Sequence, residues 1–344
     1  MKNRLNSFEK FTDYLSKSLA NIGIPVDIEQ YKFLDNYDAD RFIIIGLGGS
    51  HAYGTNVPTS DLDIRGIALN SVEDILTGSD FEQIVNNVTD TTIYSLNKIV
   101  HLLSNCNPNT IEILGLKPEH YLYVSGCGKR LLESKDMFLS KKAIKSFGWY
   151  ATSQLYRLRQ KTKDALTKEE LNAHIAKILN NVKDTIYEGY DVSGFDIYYK
   201  DGEIKIDINV SDYKLDDFVT ILETFNKTLR DYRQRSVRND KAIAHDKISK
   251  HAMHLLRLYM MLEDILLYGE INTYREKEHD LLMAIRNNEF LDDRGMMNNE
   301  FFKLVDDYKN RCEIAGKKSD LPDEPDKERI RDFLIDENYM YLTY

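Results

Sequence analysis

The chain has 344 residues, 42% hydrophobic and 30% charged, enough for one large domain or two ordinary ones with a substantial core. Its formal net charge is -10, which excludes broad, non-specific coating of nucleic acid while leaving room for a local basic groove. The three cysteines, Cys106, Cys127 and Cys312, fit no metal-ligand spacing and are expected to be reduced thiols. Met1 to Asn6 is not followed by an apolar stretch like that of a signal peptide, and the most apolar short run, Phe42-Ile43-Ile44-Ile45, is far too short to span a bilayer. A cytoplasmic protein without membrane association is expected; its oligomeric state is left open.

In chain order, Phe8, Phe11, Leu15 and Leu19 give Ser7 to Ala20 a helical spacing. Arg41 to Gly46 reads as a buried strand entering a glycine turn, and Asp38-Ala39-Asp40 before it as a solvated turn. Asp61 to Leu69 alternates over its first half and predicts a second strand. Asp90 to Tyr94, β-branched and aromatic, predicts a third, running into a helix marked by Leu96, Ile99, Leu102 and Leu103 and closed by Asn107-Pro108-Asn109. Near residue 140 the character shifts from mixed α/β to mostly helical, with helices expected over 147–161, 171–186, 212–235 and 246–268. Between the second and third of these, Asp201-Gly202 flanked by β-formers signals a hairpin near 197–210. After Pro322 the tail is acidic and polar. The expected division is a core over 1–140 and a mostly helical region over 141–344.

Chemistry concentrates in Gly46-Leu47-Gly48-Gly49-Ser50-His51-Ala52-Tyr53-Gly54. Glycines let a backbone turn sharply and approach a ligand, and a helix starting at Ser50 would aim free N–H groups at an anion. A dinucleotide fingerprint fails because His51 takes the third glycine's place and no useful helix fits before Pro58; a P-loop fails for want of Gly-Lys-Ser/Thr. Asp61 and Asp63 lie two apart on the expected strand, so both carboxylates share a face. Two such charges repel unless a cation sits between them. Magnesium, a hard ion preferring oxygen ligands, suits the pair, and two ions roughly 3.5–4 Å apart can clamp both sides of an in-line phosphoryl substitution. A lone Asp-x-Asp is weak; a strand, a Gly-Ser turn, ten residues and Asp-Leu-Asp-Ile together are specific.

This compound pattern resembles the nucleotidyltransferase signature of the DNA polymerase β superfamily. Gly49 to Gly54 with Ser60-Asp61-Leu62-Asp63-Ile64-Arg65-Gly66 is similar to a branch of predicted bacterial and phage nucleotidyltransferases, some associated with RNA ligases. Softer matches are Asn107 to Leu114, which includes Glu112; Phe147 to Ala151 with Gln154; and Lys250 to Leu258 with Gly269-Glu270. The resemblance implies an α+β fold, a mixed sheet with flanking helices followed by a mostly helical region. It implies a nucleoside triphosphate substrate held by Gly49 and Ser50, and Mg2+ (or Mn2+) held by Asp61, Asp63 and a third carboxylate. Asp90 is the first choice for the third, since Thr92 and Tyr94 would share its face; Glu112 and Asp207 follow. The acceptor would be an RNA end, a small molecule or a protein hydroxyl. A catalytically inactive nucleotide- or RNA-binding module and a toxin–antitoxin component are the alternatives.

Segments 141–163 and 227–257 are locally basic, against the sign of the whole chain, and suited to phosphates. Most such residues are ordinarily solvated. Lys250, His254 and Arg257 fall at i, i+4 and i+7 on one helical face, expected to meet triphosphate or acceptor. Tyr53, inside the turn, is expected to pack on a nucleotide. The histidines form no convincing transition-metal pattern.

Overall fold

The computed structural model describes residues 10–161, 175–176, 179, 194–201, 203–209, 211–226, 248–293 and 295–343. They fall into two compact units: Met1–Ala151 with Met253–Asn287 and Phe302–Tyr344, and Thr152–Ala252 with Asn288–Phe301.

The first unit is built on a five-stranded mixed sheet. Its strands are β1 (Phe42–Leu47), β2 (Ile64–Ala68), β3 (Gln83–Asn86), β4 (Thr91–Ser95) and β5 (Tyr121–Val124), in the order β3-β4-β2-β1-β5. The continuous apolar run of β1 is buried along its whole length, as expected of a strand covered on both faces. It pairs antiparallel with β2 and β5, whereas β2 and β4 run parallel. Edge strand β3 alternates exposed and half-buried residues over only four positions, and β5 is equally short; neither carries a local signal long enough to read.

Around this sheet lie α1 (Phe11–Asn21), α2 (Gly49–Tyr53), α3 (Val72–Thr77), α4 (Leu96–Ser104), α5 (Gly126–Glu133) and the start of α6 (Lys142–Lys161). Phe11, Leu15 and Leu19 of α1 are buried, as their spacing requires; Phe8 lies outside the described residues. Ser71 and Asp74 form a reciprocal capping box that starts α3, and left-handed Gly78 ends it. Leu96, Ile99 and Leu103 bury the apolar face of α4.

In the second unit, β6 (Phe195–Lys200) and β7 (Glu203–Ile208) form the expected hairpin, with Asp201 at φ +55° where the chain turns. Phe195 and Ile197 pack with Ile221 and Phe225 from a helix, α7, over 215–226. The helix expected over 171–186 falls mostly outside the described residues. So do Lys163 and the basic residues between Lys227 and Lys247.

Later helices are α8 (Ile248–Tyr268), α9 (His279–Arg286), α10 (Asn299–Lys318) and α11 (Lys327–Thr343). From Lys327 to Thr343 the acidic tail is helical. Its anchor is ionic more than apolar: Glu337, 3% exposed, receives Arg130 of α5 through two hydrogen bonds of 2.5 and 2.6 Å. Among the described residues no helix is long and apolar enough to cross a membrane. Cys106, Cys127 and Cys312 are unpaired and buried.

Candidate active site

β1 delivers the chain directly into the glycine turn. Gly48 caps α2, a single short helix, and Gly54 closes it in the left-handed conformation. Gly49 has φ +52°, where side chains are strained, and a Cβ there would lie 1.5 Å from Asp63 Oδ2. The glycine is therefore required twice over: by the turn, and by the approach of the backbone to a carboxylate. Ser50 is buried.

Asp61 and Asp63 precede β2 instead of lying within it. The ladder with β1 ends at Leu47 and Ile64, one further bond joins the Gly48 N–H to the Asp63 carbonyl at 2.8 Å, and β1 then departs into the turn. On the other side, pairing with β4 begins only at Ile64 and Thr91. Residues 61–63 therefore lie outside both ladders, as the lead-in to β2. Asp61 is exposed and Asp63 half-buried. The Tyr31 hydroxyl donates to the Leu62 carbonyl at 3.3 Å, between the two aspartates. Burial above all, then the charges of Asp63 and Asp61, push its pKa up to about 12.

Asp90 departs from the expected geometry. It precedes β4 at φ +44°, so it does not continue the alternation of Thr92 and Tyr94. Its carbonyl and its Oδ1 both accept from the Arg65 guanidinium, the latter at 3.2 Å. Among the described residues no three His, Cys, Asp or Glu side chains are gathered to hold an ion. Asp207 belongs to the second unit, on exposed β7. The hard-oxygen pair Asp61 and Asp63, with a backbone that tolerates no Cβ beside it, is the part of the site that fits a divalent cation.

A cavity of about 190 Å³ lies against the turn, lined by Gly48, Gly49, Tyr53, Arg65, Tyr94 and Glu112 among others. Beside it is a buried polar cluster. Arg257 is 0% exposed; its Nη2 donates to Glu112 Oε1 at 3.0 Å and lies 3.2 Å from His254 Nδ1. Its guanidinium carbon sits 3.5 Å over the Tyr53 ring. Thr273 Oγ1 donates to the Glu112 carbonyl at 2.7 Å. Tyr53 is thus held from within the protein, and burial raises its hydroxyl pKa well above the usual range.

The stripe of Lys250, His254 and Arg257 does not form one solvent-facing surface. Lys250 is exposed and belongs to the second unit, His254 is half-buried and Arg257 is wholly enclosed. The reason lies in the helix itself: Met253, Leu255, Leu256, Leu258, Met260 and Met261 are all buried, so α8 is covered on nearly every side. A charge inside such a helix must be paired, and Glu112 is its partner. Sequence patterns missed Tyr31 and gave Arg65, although it stands in the motif, no role, since a lone Tyr before a strand and an Arg after an Asp pair carry no signal of their own. The apolar circumference of α8 was the available clue to Arg257.

A mixed sheet that sends a Gly-Ser turn off one strand and an Asp-x-Asp pair into the next defines a polymerase β-like nucleotidyltransferase fold. Residues 35–187 match the model of the RNA repair pathway DNA polymerase beta family, and over this stretch the likeness supports a polymerase β-like nucleotidyltransferase. The matched stretch contains the turn, both aspartates, Asp90 and Glu112, and ends before Arg257. No curated protein and no solved structure matches the chain.

Proposed function

We propose that the protein transfers a nucleoside monophosphate from a nucleoside triphosphate to a hydroxyl acceptor, with Mg2+ or Mn2+ held by Asp61 and Asp63. The observation that carries this reading is Gly49: its φ of +52° and the missing Cβ bring the turn's backbone against Asp63 Oδ2. Such contact serves a ligand that must touch amide groups and carboxylates together. The turn would hold the β and γ phosphates. Asp61 and Asp63 would hold the cation, without which they repel that anion; when bound it would supply positive charge to the phosphates and the leaving pyrophosphate. The acceptor oxygen forms a bond to the α phosphorus, the bond from that phosphorus to the bridging oxygen breaks, and the acceptor proton is released. Asp90 would orient Arg65 on the cavity wall rather than bind metal. Tyr53, Glu112 and Arg257 would hold the turn in place. A cytoplasmic setting is part of this proposal, supported by the three unpaired thiols.

Incubation with each α-labelled triphosphate, Mg2+ and total RNA or protein tests the reading. Label in an acceptor, with pyrophosphate released and both lost in Asp63→Asn, is expected; no labelled acceptor with any triphosphate defeats it. A non-catalytic nucleotide-binding module is the second reading, favoured by the Asp90–Arg65 pair, which leaves no third carboxylate with Asp61 and Asp63 among the described residues.

A further inference from the structure

Next to the turn the first unit holds a second, larger cavity, of about 750 Å³. Tyr31, His51, Leu62, His120 and Tyr274 are among its lining residues. Leu62 is the residue between the two aspartates, and Tyr31 is bonded to its carbonyl, so cavity wall and carboxylates share one piece of backbone. His51 belongs to α2, the helix of the turn. Tyr274 presses on the end of that helix: a Cβ at Gly54 would meet its ring at 2.0 Å. His279, stacked on Tyr274 at 6.3 Å, approaches the Gly54 carbonyl at 2.9 Å. The wall is thus fixed to the catalytic turn.

The chemistry of this wall is particular. Among the described residues no Lys or Arg lines the cavity, whereas Asp27 and Glu119 do, which disfavours a phosphate there. Burial lowers the pKa of both His51 and His120, leaving neutral imidazoles at pH 7. A neutral imidazole presents one donor and one acceptor. His120 Nδ1 is buried and has no hydrogen-bond partner among the described residues, a state that costs free energy until a ligand or water meets it. The Tyr274 ring stands edge-on to His120 at 5.9 Å and carries the Lys117 ammonium at 3.7 Å. Flat rings and neutral donor–acceptor groups, with no cation among the described lining residues, suit an uncharged heteroaromatic ring with hydrogen-bonding edges.

We propose that this cavity binds the nucleobase of the acceptor, a nucleoside or the terminal nucleotide of a single strand, with its ribose hydroxyl directed toward Asp61 and Asp63. The proposal rests on the transfer reading above, because a triphosphate on the turn leaves the Leu62 side for the second substrate.

Two measurements on the full-length protein test it. In the first, a 5-iodouridine-bearing pentaribonucleotide is photo-crosslinked without triphosphate and the adducts are mapped by mass spectrometry. Adducts on Tyr31, His51, His120 or Tyr274 are expected; adducts confined elsewhere overturn the proposal. In the second, binding of the fluorescent pentanucleotide and of adenosine is compared between wild type and His120→Ala. Affinity for at least one should fall roughly tenfold, the scale of one lost hydrogen bond, with triphosphate affinity unchanged. Loss for adenosine as well marks a nucleoside subsite, and loss for the strand alone marks a strand end. A fall in triphosphate affinity instead would make this the donor's base pocket, and labelling of a peptide hydroxyl with no oligonucleotide binding would make the acceptor a protein; either overturns the proposal. Because binding is read without turnover, cavity adducts in a protein that transfers nothing would defeat the transfer reading alone. Transfer to RNA undisturbed by His120→Ala would defeat this one alone.

Discussion

Arg257 and Tyr53 are stacked, guanidinium over ring at 3.5 Å, with the same guanidinium bonded to Glu112. The last residue of the turn helix is therefore clamped by a charge that never meets solvent. Removing that charge strands Glu112 in a buried site.

Arg257→Ala should cost about 3–5 kcal/mol of stability, the scale for breaking a buried ion pair by removing one partner. Turnover should fall as well, but as a consequence of a loosened turn. Urea denaturation monitored by far-UV circular dichroism checks this. A wild-type midpoint combined with lost turnover would return Arg257 to the role of a phosphate-binding cation.

Gly49→Ala should be the most damaging of the glycine substitutions. The left-handed conformation alone costs about 1–2 kcal/mol, and the new methyl would displace the Asp63 carboxylate. Gly48→Ala meets the Arg65 Cγ at 2.8 Å, a side chain able to shift, and should retain more activity. Equal activity of the two variants in a pyrophosphate-release assay would remove the argument from close approach.

Triphosphate should raise the melting temperature only when Mg2+ or Mn2+ is present, because Asp61 and Asp63 repel the anion otherwise. At a concentration of about 100 times Kd the stabilisation should approach roughly 2.7 kcal/mol. Asp63→Asn should keep the fold and lose both this metal dependence and transfer. Equal stabilisation in excess EDTA would count against a metal between the carboxylates.

Acid should weaken the fold through His51 and His120. Burial is the main cause of both lowered pKa values, and for His120 the nearby Lys117 and His51 add to it while Glu119 opposes. A lowered histidine pKa means that the unfolded chain binds the proton more readily. The stabilising contribution is complete above the ordinary histidine value of 6.5 and is lost as pH falls through the folded value. Melting temperature should thus decline as pH is lowered below about 6.5, and His120→Gln should flatten the decline. An unchanged slope in that variant would show that His120 is not a contributor.

Much of the sheet was readable because its signals are local: the β1 run, the β4 β-formers and the Asp201 turn each lie within a few residues. The glycine turn and the aspartate pair were readable as one motif for a similar reason, since they are close in sequence; the contact of Gly49 with Asp63 was not. Asp90 shows where such reading fails. Alternation gave it the face of Thr92 and Tyr94, but a left-handed backbone angle and the pull of Arg65 decide its place, and neither leaves a mark in the pattern. Arg257 shows a further limit: helical spacing says which residues share a face, not whether that face is covered. The gathering of three separate stretches into the first unit is likewise invisible to local periodicity.

The long sequence separation within the buried pair has a consequence during synthesis. Glu112 leaves the ribosome 145 residues ahead of Arg257, an interval of roughly 7–30 s at about 5–20 residues per second. Until Arg257 emerges, the carboxylate has no counter-charge and the turn has no clamp. Nascent chains should therefore carry an unsealed core, prone to chaperone capture, with Mg2+-triphosphate binding appearing only once α8 has been made. By the same logic, residues 35–187 expressed alone should remain protease-sensitive although they contain the turn and both aspartates.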